Sequence, residues 1–187
     1  MKEKIKNLLQ SSIDAKKELL NKSVSSIAEI AKAMASAVKS GKKIIIFGNG
    51  GSAADSQHMA AELIGRFKKE RRAVPAIALT VNSSILTSIA NDYDYSEIFS
   101  RQIDALGQEG DIALAISTSG NSANVIKAVR RANELGLITI GLTGKDESRL
   151  SSACRLSLRI PSQSAPVIQE AHICCIHIFC DIIENSL

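Results

Sequence analysis

Three side chains in this sequence have the types and spacing for proton transfer. His58 and Glu62 stand four residues apart in "DSQHMAAEL", so on a helix they share one face. His177 lies far along the chain in "HICCIHIFC". A carboxylate and an imidazole brought together form a general acid–base pair, because burial and neighbouring charges can bring groups of these types toward neutral pKa. Asp181 follows His177 by one helical turn, a spacing that would let it orient the imidazole. His172, five residues before His177, points about 140° away around the same helix and so faces something else.

A second group of residues is built from small donors. "GNGGS" ends in Ser52, and "STSGNS" runs from Ser117 to Ser122. Glycines let backbone N–H groups approach a ligand closely, and a helix N-terminus adds partial positive charge. Ser52 fits as an N-cap or as a ligand donor. Ser117, Thr118, Ser119 and Ser122 surround Gly120 with hydroxyls at a second helix start. Neutral donors of this kind can hold a phosphate without a lysine. A P-loop would need Lys after the glycines, and none follows. A dinucleotide fingerprint does match Gly48, Gly50 and Ala53. The strand after it ends "LTVNSS", without the acid that binds ribose hydroxyls. The sugar-phosphate reading is therefore preferred.

The elements that must position these residues alternate between strand and helix. Apolar residues at helical spacing from 2 to 39 predict two helices, with an interruption between Asn21 and Ser26. Strands are expected over 42–47, 75–81, 111–117, 137–144 and 154–161. Helices are expected over 52–67, 83–90, 95–107, 122–136 and 166–184. This order implies right-handed crossovers and a mostly parallel sheet covered on both faces. Such sheets bind ligands at the carboxyl ends of their strands, where both donor loops fall. The last helix, "PVIQEAHICCIHIFCDIIENSL", is apolar on nearly every face and must be buried all round. A domain of this size rarely achieves that alone, so a symmetric homo-oligomer is expected, with the N-terminal helices sharing its interface.

Composition narrows the function classes. The chain has 187 residues, 45% of them hydrophobic, which suits one α/β domain with a helical extension. Aromatic residues make up 3%, which argues against stacking platforms for single-stranded nucleic acid. A net charge of +4 suits a small anionic substrate. The densest positive run, "RFKKERR" from Arg66 to Arg72, is expected to be a solvated helix end. With no apolar leader at the start and no uninterrupted apolar run to span a bilayer, a cytoplasmic protein with no membrane partner is expected. Cys154, Cys174, Cys175 and Cys180 form no C-x-x-C pair and are expected as buried, reduced thiols.

"FGNGGSAADSQHMAAEL", "IANDYDY", "LAISTSGNSANVIKAV", "TIGLTG" and "IQEAHICCIH" together resemble the phosphoheptose isomerases, which are sugar-isomerase (SIS) domain proteins. The likeness runs nearly end to end. It implies an SIS-type five-stranded parallel sheet flanked by helices, a Rossmann-like three-layer sandwich. Residues 1–40 would be oligomerisation helices and 41–187 the SIS domain, together a single domain. It implies a homotetramer with active sites at subunit interfaces, and sedoheptulose 7-phosphate as substrate for heptose precursors of lipopolysaccharide or capsule. Asn49, Gly50, Gly51, Asn91 and Asp92 would contact the sugar. Ser117, Thr118, Ser119 and Ser122 would hold its phosphate, and Glu62 and His177 would move protons. His58, Glu62, Gln169 and His177 match positions where some members bind one zinc per subunit; no nucleotide cofactor or nucleic acid is implied. Gln169 and His177 are eight residues apart, about 12 Å along a regular helix. One ion reaches both only if the helix is irregular or the residues come from different subunits. Some similar proteins instead regulate the bacterial replication initiator and lack the catalytic Glu and His; their presence here favours the enzyme.

Overall fold

The computed structural model describes all 187 residues. Two helices open the chain, α1 (Lys2–Lys22) and α2 (Val24–Lys39). Ser23 separates them at φ −120° and ψ 1°, outside the helical region. The Ser- and Asn-rich stretch around it offers the backbone competing partners, which is why helix propensity fails there. The rest alternates as expected: β1 (Ile44–Gly48), α3 (Gly51–Ile64), β2 (Ala76–Ala78), α4 (Ser83–Asp92), α5 (Ser100–Leu106), β3 (Ile112–Ile116), α6 (Ala123–Glu134), β4 (Ile138–Thr143), α7 (Arg149–Ala153), β5 (Leu156–Arg159) and α8 (Ala165–Asn185). A 3-10 turn at Tyr95–Glu97 takes the first part of the helix expected over 95–107.

The five strands form one parallel sheet in the order β2-β1-β3-β4-β5. Ile-rich, β-branched runs suit it, since their stiff side chains pack well on a pleated surface. Both faces are covered, so each strand's alternation divides the core in two. Ile44, Ile46, Ile112, Leu114 and Leu142 pack under α2, α3 and α8. Ile45, Phe47, Ala113 and Ala115 face α5 and α6. The order reverses direction between β1 and β3, and at such a switch point the two loops splay apart and leave a crevice.

Helix α8 passes the length and hydropathy test for a membrane span, yet half of its most apolar window is buried in the fold. It packs against α1, α2 and α3. The single chain does not bury it all round: Ile178 and Ile182 are exposed on it. Helix α1 likewise exposes Ile5, Leu8, Leu9, Ile13 and Leu20.

The run from Arg66 to Arg72 corrects another expectation. It is irregular backbone beyond the end of α3, not a helix end. The Arg71 side chain is 8% exposed and pairs with the buried Glu184 carboxylate at 3.3 Å. It also donates to the carbonyls of Glu62, Leu63 and Gly65. Its guanidinium closes the orphan carbonyls of α3, which is the work of a helix C-cap. All four thiols are free as expected, but only Cys175 and Cys180 are buried; Cys154 and Cys174 are half-buried.

Candidate active site

The glycine loop leaves β1 at the switch point. Gly50, the residue before α3, has φ +57°, where side-chain-bearing residues are strained. A Cβ on Gly51 would overlap the Gln169 amide, so a side chain there would displace that amide from the loop. Ser52 is buried in the first turn of α3. Asn49 and Asn124 exchange amide hydrogen bonds, each 2.9 Å, across the switch point. Tyr95 donates its hydroxyl to the same Asn49 oxygen at 3.2 Å. Asn124 and Tyr95 are site residues that the sequence did not reveal. Their only signal was proximity to the "STSGNS" and "IANDY" stretches, and their partner is on another strand's loop.

The hydroxyl loop follows β3, beside β1. The Ser117 hydroxyl lies 3.2 Å from that of Ser122 and 3.4 Å from that of Ser119. Ser122 is the N-cap of α6, yet its side chain makes no capping bond. The N–H groups of Ala123 and Asn124 in the first turn of α6 are therefore open to a ligand, while that of Val125 is taken by the Asn124 side chain. Thr118 and Ser119 line a cavity of about 300 Å³ with Gly144, Lys145, Ser162 and Ile168. Lys145 and Asp146 line the same cavity side by side, so it gains no net charge from them.

Asn91 and Asp92 lie at the end of α4, exposed and hydrogen-bonded to each other at 2.9 Å. The structure does not bond them to the two loops.

Two turns along α3, the acid–base residues meet. His58 Nε2 is 3.2 Å from Glu62 Oε1. His177 on α8 places its Nε2 3.1 Å from that of His58. One donor atom from each of these three side chains lies within 4.8 Å of the others. Bound to one tetrahedral zinc, two imidazole nitrogens would be about 3.3 Å apart, from zinc–nitrogen bonds near 2.0 to 2.1 Å. Two imidazoles and a carboxylate at these separations fit that ion. Gln169 is not with them: it sits at Gly51, and α8 is a regular helix from Ala165 to Asn185.

The neighbours of this cluster differ from expectation. Asp181 does not orient His177; it pairs with Lys68 at 2.9 Å, because the irregular segment after α3 brings that ammonium alongside. The ring stacked on His177 is instead Phe67, with centroids 5.7 Å apart and planes at 28°. One turn before His58, burial pushes the Asp55 carboxyl up to about 6, partly opposed by attraction to His58. One Asp55 oxygen is buried without a hydrogen-bond partner. His172 does face elsewhere, with Nε2 3.2 Å from the Thr143 carbonyl oxygen.

Known proteins resemble this chain in sequence and in fold. The SIS domain family model matches residues 8–144. The phosphoheptose isomerase of Clostridium acetobutylicum is 50% identical over 189 residues, covering 100% of this chain and 96% of that protein. The chain belongs to the phosphoheptose isomerases of the SIS domain family. The phosphoheptose isomerase of Aquifex aeolicus is 46% identical, covering 100% of this chain and 98% of its own length. Among solved structures, the phosphoheptose isomerase of Francisella tularensis matches with a TM-score of 0.94 at 41% identity, covering 98% of this chain and 97% of that one. That of Neisseria gonorrhoeae matches with a TM-score of 0.93 at 41% identity, covering 98% of both. The protein is thus an isomerase, and the two donor loops and the His58–Glu62–His177 cluster make up the candidate site of that enzyme.

Proposed function

We propose that the enzyme interconverts sedoheptulose 7-phosphate and D-glycero-D-manno-heptose 7-phosphate in the cytoplasm, supplying heptose for lipopolysaccharide or capsule. The observation that carries the reading is the convergence of Glu62 and His177 at one end of a helix that begins between two phosphate-type loops. Gly51 and His58 are seven residues apart, about 10 Å along a helix. A long open-chain sugar phosphate suits that separation between the glycine loop and the cluster better than a triose phosphate does.

In this reading Ser117, Thr118, Ser119 and Ser122 hold the phosphate, with the α6 N-terminus facing it. Ser52 and the Gly50–Gly51 backbone line the sugar site with Asn49, whose amide is held by Asn124. Asn91 and Asp92 bound its outer side, and Gln169 closes it over Gly51. Glu62 takes the proton from C1 of the ketose, leaving a cis-enediolate across C1 and C2, and returns it to C2. His177 carries the hydroxyl proton from O1 to O2, so atoms and charge balance without an external oxidant or reductant. Zinc, held by His58, Glu62 and His177, would supply Lewis-acid polarisation of the sugar oxygens.

The same reading includes a homotetramer. The exposed Ile5, Leu8, Leu9, Ile13 and Leu20 of α1 form an apolar face beyond what single scattered residues give, and α8 separately exposes Ile178 and Ile182, the latter beside α2. A second Gln169, from a neighbouring chain, could then approach the metal donors that the chain's own Gln169 does not.

The test is incubation of the purified protein with sedoheptulose 7-phosphate, followed by NMR of the products without added nucleotide. The aldose 7-phosphate is expected. Glu62→Gln and His177→Gln should each lower kcat on the order of 10²-fold with folding retained, the usual scale for acid–base groups. Absence of turnover in the wild type would overturn the substrate assignment. Near-normal turnover in either variant would overturn that residue's role.

A further inference from the structure

We infer that Phe67 is a positioning residue for His177, and that the segment after α3 is clamped so as to hold its ring there. The inference rests on the reading of His177 as a proton-transfer group. His177 is half-buried near the middle of α8, with rings on two sides. His58 lies against it at 5.1 Å between centroids with planes at 55°, and Phe67 stacks at 5.7 Å and 28°. The stacked partner is the one aromatic ring in a run of five cationic side chains and a glutamate, "RFKKERR". A segment of that composition has little apolar reason to fold back on the protein.

It folds back because its backbone is captured. Three successive amides, those of Phe67, Lys68 and Lys69, donate to the Glu184 carboxylate at 3.0, 2.9 and 2.9 Å. Glu184 lies in the last turn of α8, with its side chain 1% exposed. Arg71 pairs with the same carboxylate and donates to the carbonyls of Glu62 and Leu63 at 2.7 and 2.8 Å. One buried ion pair therefore ties together the end of α3, which carries Glu62, the segment that carries Phe67, and α8, which carries His177. Lys68 adds an outer cover, its ammonium 5.0 Å from the centre of the Phe67 ring and 2.9 Å from Asp181. The consequence for chemistry is geometric. An imidazole on a helix surface can swing about two side-chain bonds, and a misplacement of about 1 Å can cost on the order of 10²-fold in rate. Phe67 blocks the swing away from His58.

The experiment uses Phe67→Leu, which keeps apolar volume without a ring, and Phe67→Tyr, which keeps the ring. Kinetics with sedoheptulose 7-phosphate are paired with NMR of the His177 ring protons. In the wild type those protons should carry an upfield ring-current shift. Phe67→Leu should remove the Phe67 share of the shift, leaving the smaller share from His58, and lower kcat roughly tenfold with KM within about twofold, a modest share of the full misplacement effect. Phe67→Tyr should restore both. A folded Phe67→Leu protein with unchanged kcat, or a loss that Phe67→Tyr fails to restore, would overturn the inference. So would wild-type His177 protons without a ring-current shift, a result that needs no variant to fold. The outcomes separate from those of the proposed reaction: an inactive wild type that shows the ring-current shift defeats the substrate assignment, and an active wild type matched by Phe67→Leu defeats only the positioning role.

Discussion

Lowering the pH should weaken this fold through one buried imidazole. His172 is fully buried on α8, with Nε2 3.2 Å from the carbonyl oxygen of Thr143. A carbonyl only accepts, so Nε2 carries the proton, and Nδ1 is left buried without a partner. A second proton would add a charge and a donor with nowhere to go. Burial accordingly lowers the His172 pKa from 6.5 to about 4, against a smaller opposing effect of the Thr143 hydrogen bond. The unfolded chain binds that proton near pH 6.5 and the folded chain does not, so the stabilisation is complete above the unfolded value and is lost as pH falls toward 4. For these two values, linkage gives a loss of about 2 kcal/mol between pH 7.5 and pH 5, and about 3 kcal/mol in the limit. The assay is urea unfolding at a series of pH values, for the wild type and for His172→Gln, which keeps a donor for Thr143 and does not titrate. Asp55 works in the opposite direction, since its raised pKa favours the fold as pH drops through about 6. It is present in both proteins, so the difference between their stability curves isolates His172. Parallel curves would refute the reasoning.

Ser119→Ala and Ser122→Ala should each raise KM about tenfold or more with kcat little changed, since each removes a hydrogen bond to a charged group made in ground and transition states alike. A pure kcat effect in steady-state kinetics would contradict an anchoring role. Elemental analysis of the protein after dialysis against trace zinc should find about one ion per chain, and His58→Ala should lose it, because a metal site needs its full donor set. Equal zinc in both proteins would remove that ion from the cluster. Ile178→Asp should break the assembly and abolish turnover together, seen by light scattering and activity on one sample, because burying an unpaired charge is costly. A fully active monomer would defeat the shared-site tetramer.

The sheet was legible because its strands are short β-branched runs set off by Gly, Pro and Ser; four lie within the expected range, and β1 runs one residue past it into Gly48. Helix α7 was not, since five residues are too few to show a period; it is held by Ser148 and Ser151, whose side chains cap each other's backbone N–H groups. The 95–107 helix divides because Asp94 captures the N–H of Ser96 and opens a tighter turn. Within the site, the contiguous donors of the two loops could be read directly. Asn124 could not, since its partner Asn49 is 75 residues away. Helical spacing made Asp181 the natural neighbour of His177, and it failed because spacing along one helix says nothing of what a second segment brings. Phe67 and Lys68, five and six residues past Glu62, arrive only once Glu184 has captured their backbone amides.

The register of α3 against α8 accounts for how a common fold acquires this chemistry. Gly51 meets Gln169 at one level, His58 meets His177 seven and eight residues further on, and the segment after α3 meets Glu184 beyond that. Both numbers rise together, so the two helices run side by side in the same direction. The glycine at the first level leaves room for the Gln169 amide, and the ion pair at the last level stops them from sliding. Between these fixed ends the donor atoms of His58, Glu62 and His177 converge, each presented by a rigid helix rather than a loop. The donor loops at the switch point could serve many phosphorylated ligands, since hydroxyls and helix ends recognise phosphate alone. In the proposed reading, discrimination among substrates comes from how far along the α3–α8 pair the reacting carbons lie, a stretch bracketed by the Gly51–Gln169 contact and the Glu184 clamp.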